Sequence, residues 1–235
     1  MSINLPQKYQ LSTHGLLYVA PTGSGKTRQA IEATRDQGDT SVVGTASLTK
    51  NFEGEEQKVY GKVTPRHITT YSALARTHTL PGGRHLILDE SHYIRNPQTK
   101  AFKKLMHERD KYDKALLMTA TPIVNEPYDI APQVNLAAGD QVLPINKTKF
   151  YEKFYGEKRI DPGIIARMQG VQPGSVRYLR NPAGVKKLLD PYVSVENTEQ
   201  FKKYMPKRHD EVVKVPMEEH QTQRTPGVFS SSSMA

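Results

Sequence analysis

The chain has 235 residues, enough for one sizeable domain or one domain with an extension, and long enough to bury a core without covalent staples. It has no cysteine, which excludes disulfides, thiolate catalysis and a cysteine-based zinc site, and no apolar run approaches the ~18 residues of a membrane span. With no basic-then-apolar leader at its start it reads as soluble and intracellular, in cytoplasm or nucleus, and its net charge of +9 suits a polyanion such as nucleic acid, although a generally basic surface would give the same count.

In chain order, Gly15–Ala20 (GLLYVA) is a short apolar run that ends in a turn cluster, which predicts a buried strand. A helix is expected over 25–36, a second strand over Ser41–Thr45 and a helix over 48–58. His67–Thr70 predicts a third strand, and His85–Asp89 a fourth, behind the turn residues Pro81, Gly82 and Gly83. A helix over 98–109 and a fifth strand over Ala115–Thr119 complete the pattern. Strands alternating with helices, most of them apolar on both faces, imply a parallel sheet covered on both sides.

After about residue 130 prolines recur and strand-like runs vanish, so short helices and loops packed against the sheet are expected. The stretch FYEKFYGEKR (150–159) interleaves aromatic and basic residues. Its i,i+4 aromatics favour an amphipathic helix docked on the sheet over a platform for single-stranded bases. The expected organisation is a core over 1–135, a helical, proline-rich extension over 136–221 and a disordered serine-rich tail over 222–235.

The strongest local signal is APTGSGKT, Ala20–Thr27, directly after a predicted strand and opening a predicted helix. Gly23 and Gly25 let the backbone bend and aim N–H groups at phosphates, and the helix N-terminus adds positive potential. Lys26 reaches the β- and γ-phosphates, the Thr27 hydroxyl ligates Mg²⁺, and Pro21, Thr22, Ser24 and Arg28 complete the cradle. Sixty-three residues after Lys26, the apolar strand of LILDESH ends in adjacent acids, placed by this reading beside the phosphate-loop strand. Hydrolysis of a nucleotide needs one carboxylate to hold Mg²⁺ and one to activate water, which assigns Asp89 to the metal and Glu90 to the base. His92 then senses the nucleotide and relays its state.

These ordered motifs resemble those of superfamily two helicases and translocases, and ITTYSALAR (68–76), LILDESHYIRNPQTKAFKKL (86–105) and LLMTATPIVN (116–125) resemble the Swi/Snf-type ATPases. The resemblance covers 15–130 densely and continues thinly to Gln221, through YMPKRHDEVVKVPMEEHQ. It implies an α/β, RecA-like P-loop lobe that binds ATP and Mg²⁺ and couples hydrolysis to movement along DNA. It also implies that Thr119, Ala120 and Thr121 couple the nucleotide site to DNA. Ser47, Thr49 and Lys50, then Thr70 and Tyr71, are implied to touch the nucleic-acid backbone, with core packing the rival reading for Tyr71. Tyr9-Gln10 resembles a Y-Q pair that recognises adenine, but only nine residues separate Gln10 from Ala20, little room for the helix that carries it.

Such motors sandwich nucleotide between two RecA-like lobes, and only fourteen residues follow Gln221, so the chain is expected to be one lobe that works with a second, in cis or in trans. The alternatives are a DNA-packaging or restriction-type ATPase, or a nucleotide-dependent DNA-binding module without turnover of its own.

Overall fold

The computed structural model describes residues 5–35, 38–76, 79–160 and 174–196. Its centre is a six-stranded, all-parallel sheet. The strands are β1 (Gly15–Val19), β2 (Thr40–Gly44), β3 (His67–Thr70), β4 (Gly83–Leu88), β5 (Tyr112–Thr119) and β8 (Val193–Val195). They lie side by side in the order β3-β2-β4-β5-β1-β8. The five strands expected from the apolar runs all form, each within about three residues of its expected limits.

Two cores flank the sheet, because successive side chains of a strand point to opposite faces. Leu16, Tyr18, Ile87, Leu116 and Met118 pack with α1 (Leu5–Leu11), α2 (Lys26–Thr34) and α3 (Leu48–Tyr60). Leu17, Leu86, Leu88, Ala115 and Leu117 form the other core, with the one-turn α4 (Tyr71–Leu74), α5 (Lys100–Glu108), α6 (Ile130–Ala138) and α7 (Lys147–Phe154). Gly15 is required where α6 comes down on the sheet, since a Cβ there would lie 2.3 Å from the Ala115 carbonyl oxygen and 2.5 Å from that of Ala137.

α7 is the docked amphipathic helix that its spacing predicts. Phe150 and Phe154 are buried with ring centroids 5.1 Å apart, and each contributes about 1.5–3 kcal/mol by leaving water.

The structure corrects three expectations. First, strands do not vanish after residue 130. β6 (Tyr155–Ile160) and β7 (Gly174–Leu179) form an antiparallel pair, and after α8 (Pro182–Leu189) the three-residue β8 joins the central sheet beside β1. Second, the acid-bearing β4 is not adjacent to β1, because β5 runs between them. Third, a helix does form ahead of β1, but it carries Gln10 to the wrong end of the sheet. Gln10 is exposed, and its carbonyl accepts from Lys114 Nζ (2.9 Å) near the start of β5. Five residues of strand, about 16 Å, separate Lys114 from the end of β5 that borders the phosphate loop. The buried member of the pair is Tyr9, whose hydroxyl bonds His85 Nδ1 at 3.0 Å.

The serine-rich tail, the segment YMPKRHDEVVKVPMEEHQ and residues 161–173 lie outside the described residues.

Candidate functional site

The loop between β1 and α2 bends through two left-handed glycines, Gly23 (φ 80°) and Gly25 (φ 78°), and an added Cβ at either would meet nothing within 4 Å. Gly25 is the N-cap of α2 and supplies no side-chain cap, so the first-turn N–H groups of a nine-residue helix face the loop's hollow. Lys26 is 8% exposed and folds back to donate to the carbonyls of Ala20 and Pro21, both at 3.1 Å. Gln29, one turn on, braces the loop through Nε2 to the Ser24 carbonyl (3.3 Å). Among the described residues the buried Ser24 hydroxyl has no hydrogen-bond partner. Burying a hydroxyl without a partner costs about 1–3 kcal/mol, which an anion accepting from it would relieve. These features fit a phosphate. Thr22 and Arg28 are exposed on either side, and Thr27 is half-buried in the first turn.

At the end of β4, Asp89 is held by its backbone to Val43 and by its Oδ1, which accepts from the Glu90 N–H (3.0 Å). Burial, then the neighbouring Glu90 carboxylate, push its carboxyl above the usual range, while Lys26 and His92 pull the other way. Glu90 is the sole non-glycine residue with positive φ among the described residues (φ 50°, ψ 52°). That conformation costs roughly 1–2 kcal/mol, and the surrounding contacts hold it in place. His92 Nδ1 lies 3.2 Å from Glu90 Oε2 and 3.1 Å from Thr119 Oγ1. A carboxylate only accepts, so a hydrogen bond from His92 to Glu90 requires the Nδ1–H form of the ring.

The intervening β5 gives Thr119 a position that adjacency of β1 and β4 would have denied it. Its carbonyl accepts from the Ala20 N–H (3.1 Å) at the foot of the phosphate loop. Its hydroxyl meets His92 and also accepts from the Thr121 N–H (3.1 Å). One fully buried residue thus touches both halves of the site. Ala120 follows it half-buried, and Thr121 is exposed.

Gln133 is a site residue that the sequence reading missed. It is fully buried on α6, accepts from Ser91 Oγ (2.8 Å) and donates to the carbonyls of Pro122 (2.7 Å) and Asp129 (2.9 Å). It ties the acid turn to the segment after β5. The available signal was a lone amide inside the apolar run IAPQVNLAA. Asp129 Oδ2 fixes the same segment by accepting from the N–H groups of Val124, Asn125 and Glu126 (3.0, 2.7 and 3.3 Å).

The expected backbone-contacting residues divide. Tyr71 takes its rival reading: it is buried, burial pushes its phenol well up, and its hydroxyl donates to the Asp89 carbonyl (2.8 Å). Thr70 spends its hydroxyl as an acceptor from Ala73 N–H, capping α4 (3.1 Å). Ser47 is exposed at the start of α3, within 3.1 Å of the Thr45 hydroxyl. Thr49 and Lys50 lie on the first turn of α3, and their side chains are outside the description.

The described residues hold no group of three or more His, Asp or Glu side chains arranged to bind a metal. Thr27 and Asp89 are therefore a sparse donor set. That suits Mg²⁺, which keeps several waters and completes its shell with substrate phosphates. No helix among the described residues is long and apolar enough to cross a membrane.

Comparison with known proteins bears on the family and the fold. The family model for the SNF2-related domain matches residues 45–225, beginning downstream of the phosphate loop, whose assignment rests on its own geometry. A mimivirus protein (Acanthamoeba polyphaga mimivirus) named as ATP-dependent RNA helicase L538 is 27% identical over 158 residues, covering 65% of this chain and 35% of the relative. Among solved structures, the Sulfolobus solfataricus SWI2/SNF2 ATPase core in complex with dsDNA superposes with a TM-score of 0.59 at 21% identity. That match covers 82% of this chain and 42% of the other. The chain thus spans less than half the length of either.

Proposed function

The chain belongs to the SNF2-related domain family, and on that premise we propose that it is the ATP-binding lobe of a DNA-dependent ATPase that couples hydrolysis to movement along double-stranded DNA. The observation that carries the reading is Thr119, whose carbonyl takes the Ala20 N–H and whose hydroxyl meets the His92 ring that also meets Glu90. A change at the phosphates has a short, bonded route to the hydrolytic carboxylate.

In this reading Lys26 exchanges its two carbonyl partners for the β- and γ-phosphates, and the α2 N-terminus, Gly23, Gly25 and Ser24 supply N–H and O–H donors. Thr27 and Asp89 hold Mg²⁺, which when bound neutralises phosphate charge. Burial disfavours the ionised form of Asp89, while the nearby Lys26 favours it, as a bound cation would. Glu90 accepts a proton from the attacking water at its carboxylate, and His92 Nδ1–H fixes that carboxylate's orientation. Ser47, Thr49 and Lys50, at the start of α3, would supply the hydroxyl and ammonium groups that bind the DNA backbone without reading sequence. A second RecA-like lobe, in cis or in trans, completes the site with cationic side chains. Contributions of that kind are worth about 10³–10⁵ in rate.

The test is ATP hydrolysis by the purified chain with and without duplex DNA. The expected result is Mg²⁺-dependent ATP binding with slow turnover that duplex alone barely changes. Strong stimulation of this chain by itself would overturn the need for a second lobe, and absence of ATP binding would overturn the reading altogether.

A further inference from the structure

Beside the acid turn lies a groove of about 610 Å³, within the ~300–1,000 Å³ range of ligand sites. Tyr93, Arg95, Asn96, Asn125 and Lys147 line it. Its two carboxylates are spoken for: Asp129 by three backbone N–H groups, Glu126 by Lys147 Nζ (2.6 Å) and the Tyr151 hydroxyl (2.9 Å). Arg95 is different. Its Nη1 donates to the His92 carbonyl (3.2 Å), and among the described residues no carboxylate pairs with it. The groove therefore presents an unmatched guanidinium flanked by amides, a donor-rich surface suited to phosphate oxygens.

Tyr93 stands at the lip, 52% exposed. Its ring is held by two ring neighbours, His92 (centroids 4.9 Å, 28°) and Tyr71 (5.5 Å, 21°). Tyr71 is in turn anchored by its hydroxyl to Asp89. A half-exposed aromatic held rigid in this way loses little side-chain entropy on packing against a ligand. Both residues that face the groove also touch His92, Tyr93 through its ring and Arg95 through the backbone carbonyl. His92 is the residue whose Nδ1 reaches Glu90 and Thr119.

We infer that this groove is a second contact for duplex DNA, with Arg95 on the phosphodiester backbone and the exposed part of the Tyr93 ring packed against the adjoining sugar, and that its occupancy acts on Glu90 through His92. The inference rests on the nucleic-acid reading above and adds to it a place and a route, at residues outside the segments around Ser47 and Thr70.

The experiment is fluorescence anisotropy of a labelled DNA duplex, titrated with the full chain over a series of salt concentrations. Tyr93→Ala and Arg95→Ala each weaken binding at least about fivefold, and Arg95→Ala lowers the salt slope by about 1. Tyr93→Phe, which keeps the ring, stays within about twofold of wild type, and Lys58→Ala, a charge control on α3, does the same. Labelled single-stranded DNA and RNA of the same length separate a duplex site from a general strand site. Inorganic phosphate at matched ionic strength should compete poorly, and competition as strong as that of the duplex would assign the groove to a lone anion. In parallel, the ring ¹⁵N signals of His92 shift when duplex is added to wild type and fail to shift in Tyr93→Ala. That readout would not follow from a merely structural role. If wild type binds duplex while both alanine variants bind equally well with an unchanged slope, the groove assignment is overturned and the nucleic-acid reading stands. If wild type binds no nucleic acid, both fall.

Discussion

The phosphate loop and the acid turn sit at the C-terminal ends of β1 and β4, on either side of β5, yet are built in opposite ways. The loop is satisfied provisionally. Lys26 turns inward onto two carbonyls of its own loop, and the Ser24 hydroxyl is buried with nothing to bond. The acid turn is tied down. Glu90 is kept in a left-handed conformation, Ser91 is bonded to the fully buried Gln133, and His92 spans Glu90 and Thr119. On the proposed reading, the first region adapts when a multiply charged ligand arrives, and the second is preorganised to place one carboxylate. Electrostatic catalysis depends on that kind of preorganisation, because groups already in place need no reorganisation during the reaction.

Four variants test this contrast. Glu90→Gln keeps an acceptor for His92 Nδ1–H but removes the base. Hydrolysis of bound ATP should fall about 10²–10⁴-fold while nucleotide affinity changes less than about threefold, as measured by single-turnover kinetics and titration. An equal loss in both would mean that Glu90 belongs to the binding half.

Gln133→Ala removes three hydrogen bonds of a buried amide and should cost about 1–3 kcal/mol of stability by denaturant unfolding. A neutral result would show that the acid turn is not braced from α6.

Glu90→Gly relieves the positive φ and should stabilise the chain by about 0.5–1 kcal/mol while abolishing hydrolysis, a direct trade of strain against function. A loss of stability would show that the Glu90–His92 contact outweighs the strain.

The smallest effect concerns pH. A carboxyl raised in the folded chain keeps its proton to higher pH than in the unfolded chain, so stability falls as pH rises from the ordinary carboxylate range through the raised value. Asp89→Asn removes that loss. Its melting temperature should exceed that of wild type at pH 7, with the gain disappearing below about pH 3, where both states of the wild-type carboxyl are protonated. A gain that persisted below about pH 3 would point to packing and not to charge.

The legible parts of the molecule were those in which a local pattern has a local cause. Gly23 and Gly25 stand at fixed spacing ahead of Lys26 because the backbone makes two left-handed bends before α2 begins. The five buried strands announce themselves because a strand covered on both faces is apolar throughout. What stayed hidden depends on partners distant in sequence. β8 is only three residues long and borrows its stability from β1. That β5 lies between β1 and β4 is a fact of topology with no local signature, and it is what gives Thr119 its two contacts. Tyr71 sits in a strand-to-helix segment where core packing and ligand contact leave the same trace, and only its bond to the Asp89 carbonyl separates them. Gln10 misled because the Y-Q pair is present and helical, while the short path to β1 turns it toward the far end of the sheet.

The central claim is that the adaptable half of the site is a nucleotide cradle whose cation is Lys26. It is tested most directly by titrating a non-hydrolysable ATP analogue with Mg²⁺ into wild type and Lys26→Ala, with melting curves recorded on both. The account predicts binding by wild type and a loss of at least about 100-fold in the variant, since a buried charge-assisted contact is removed while the fold melts within a few degrees of wild type. Unchanged affinity in a folded Lys26→Ala chain would contradict it.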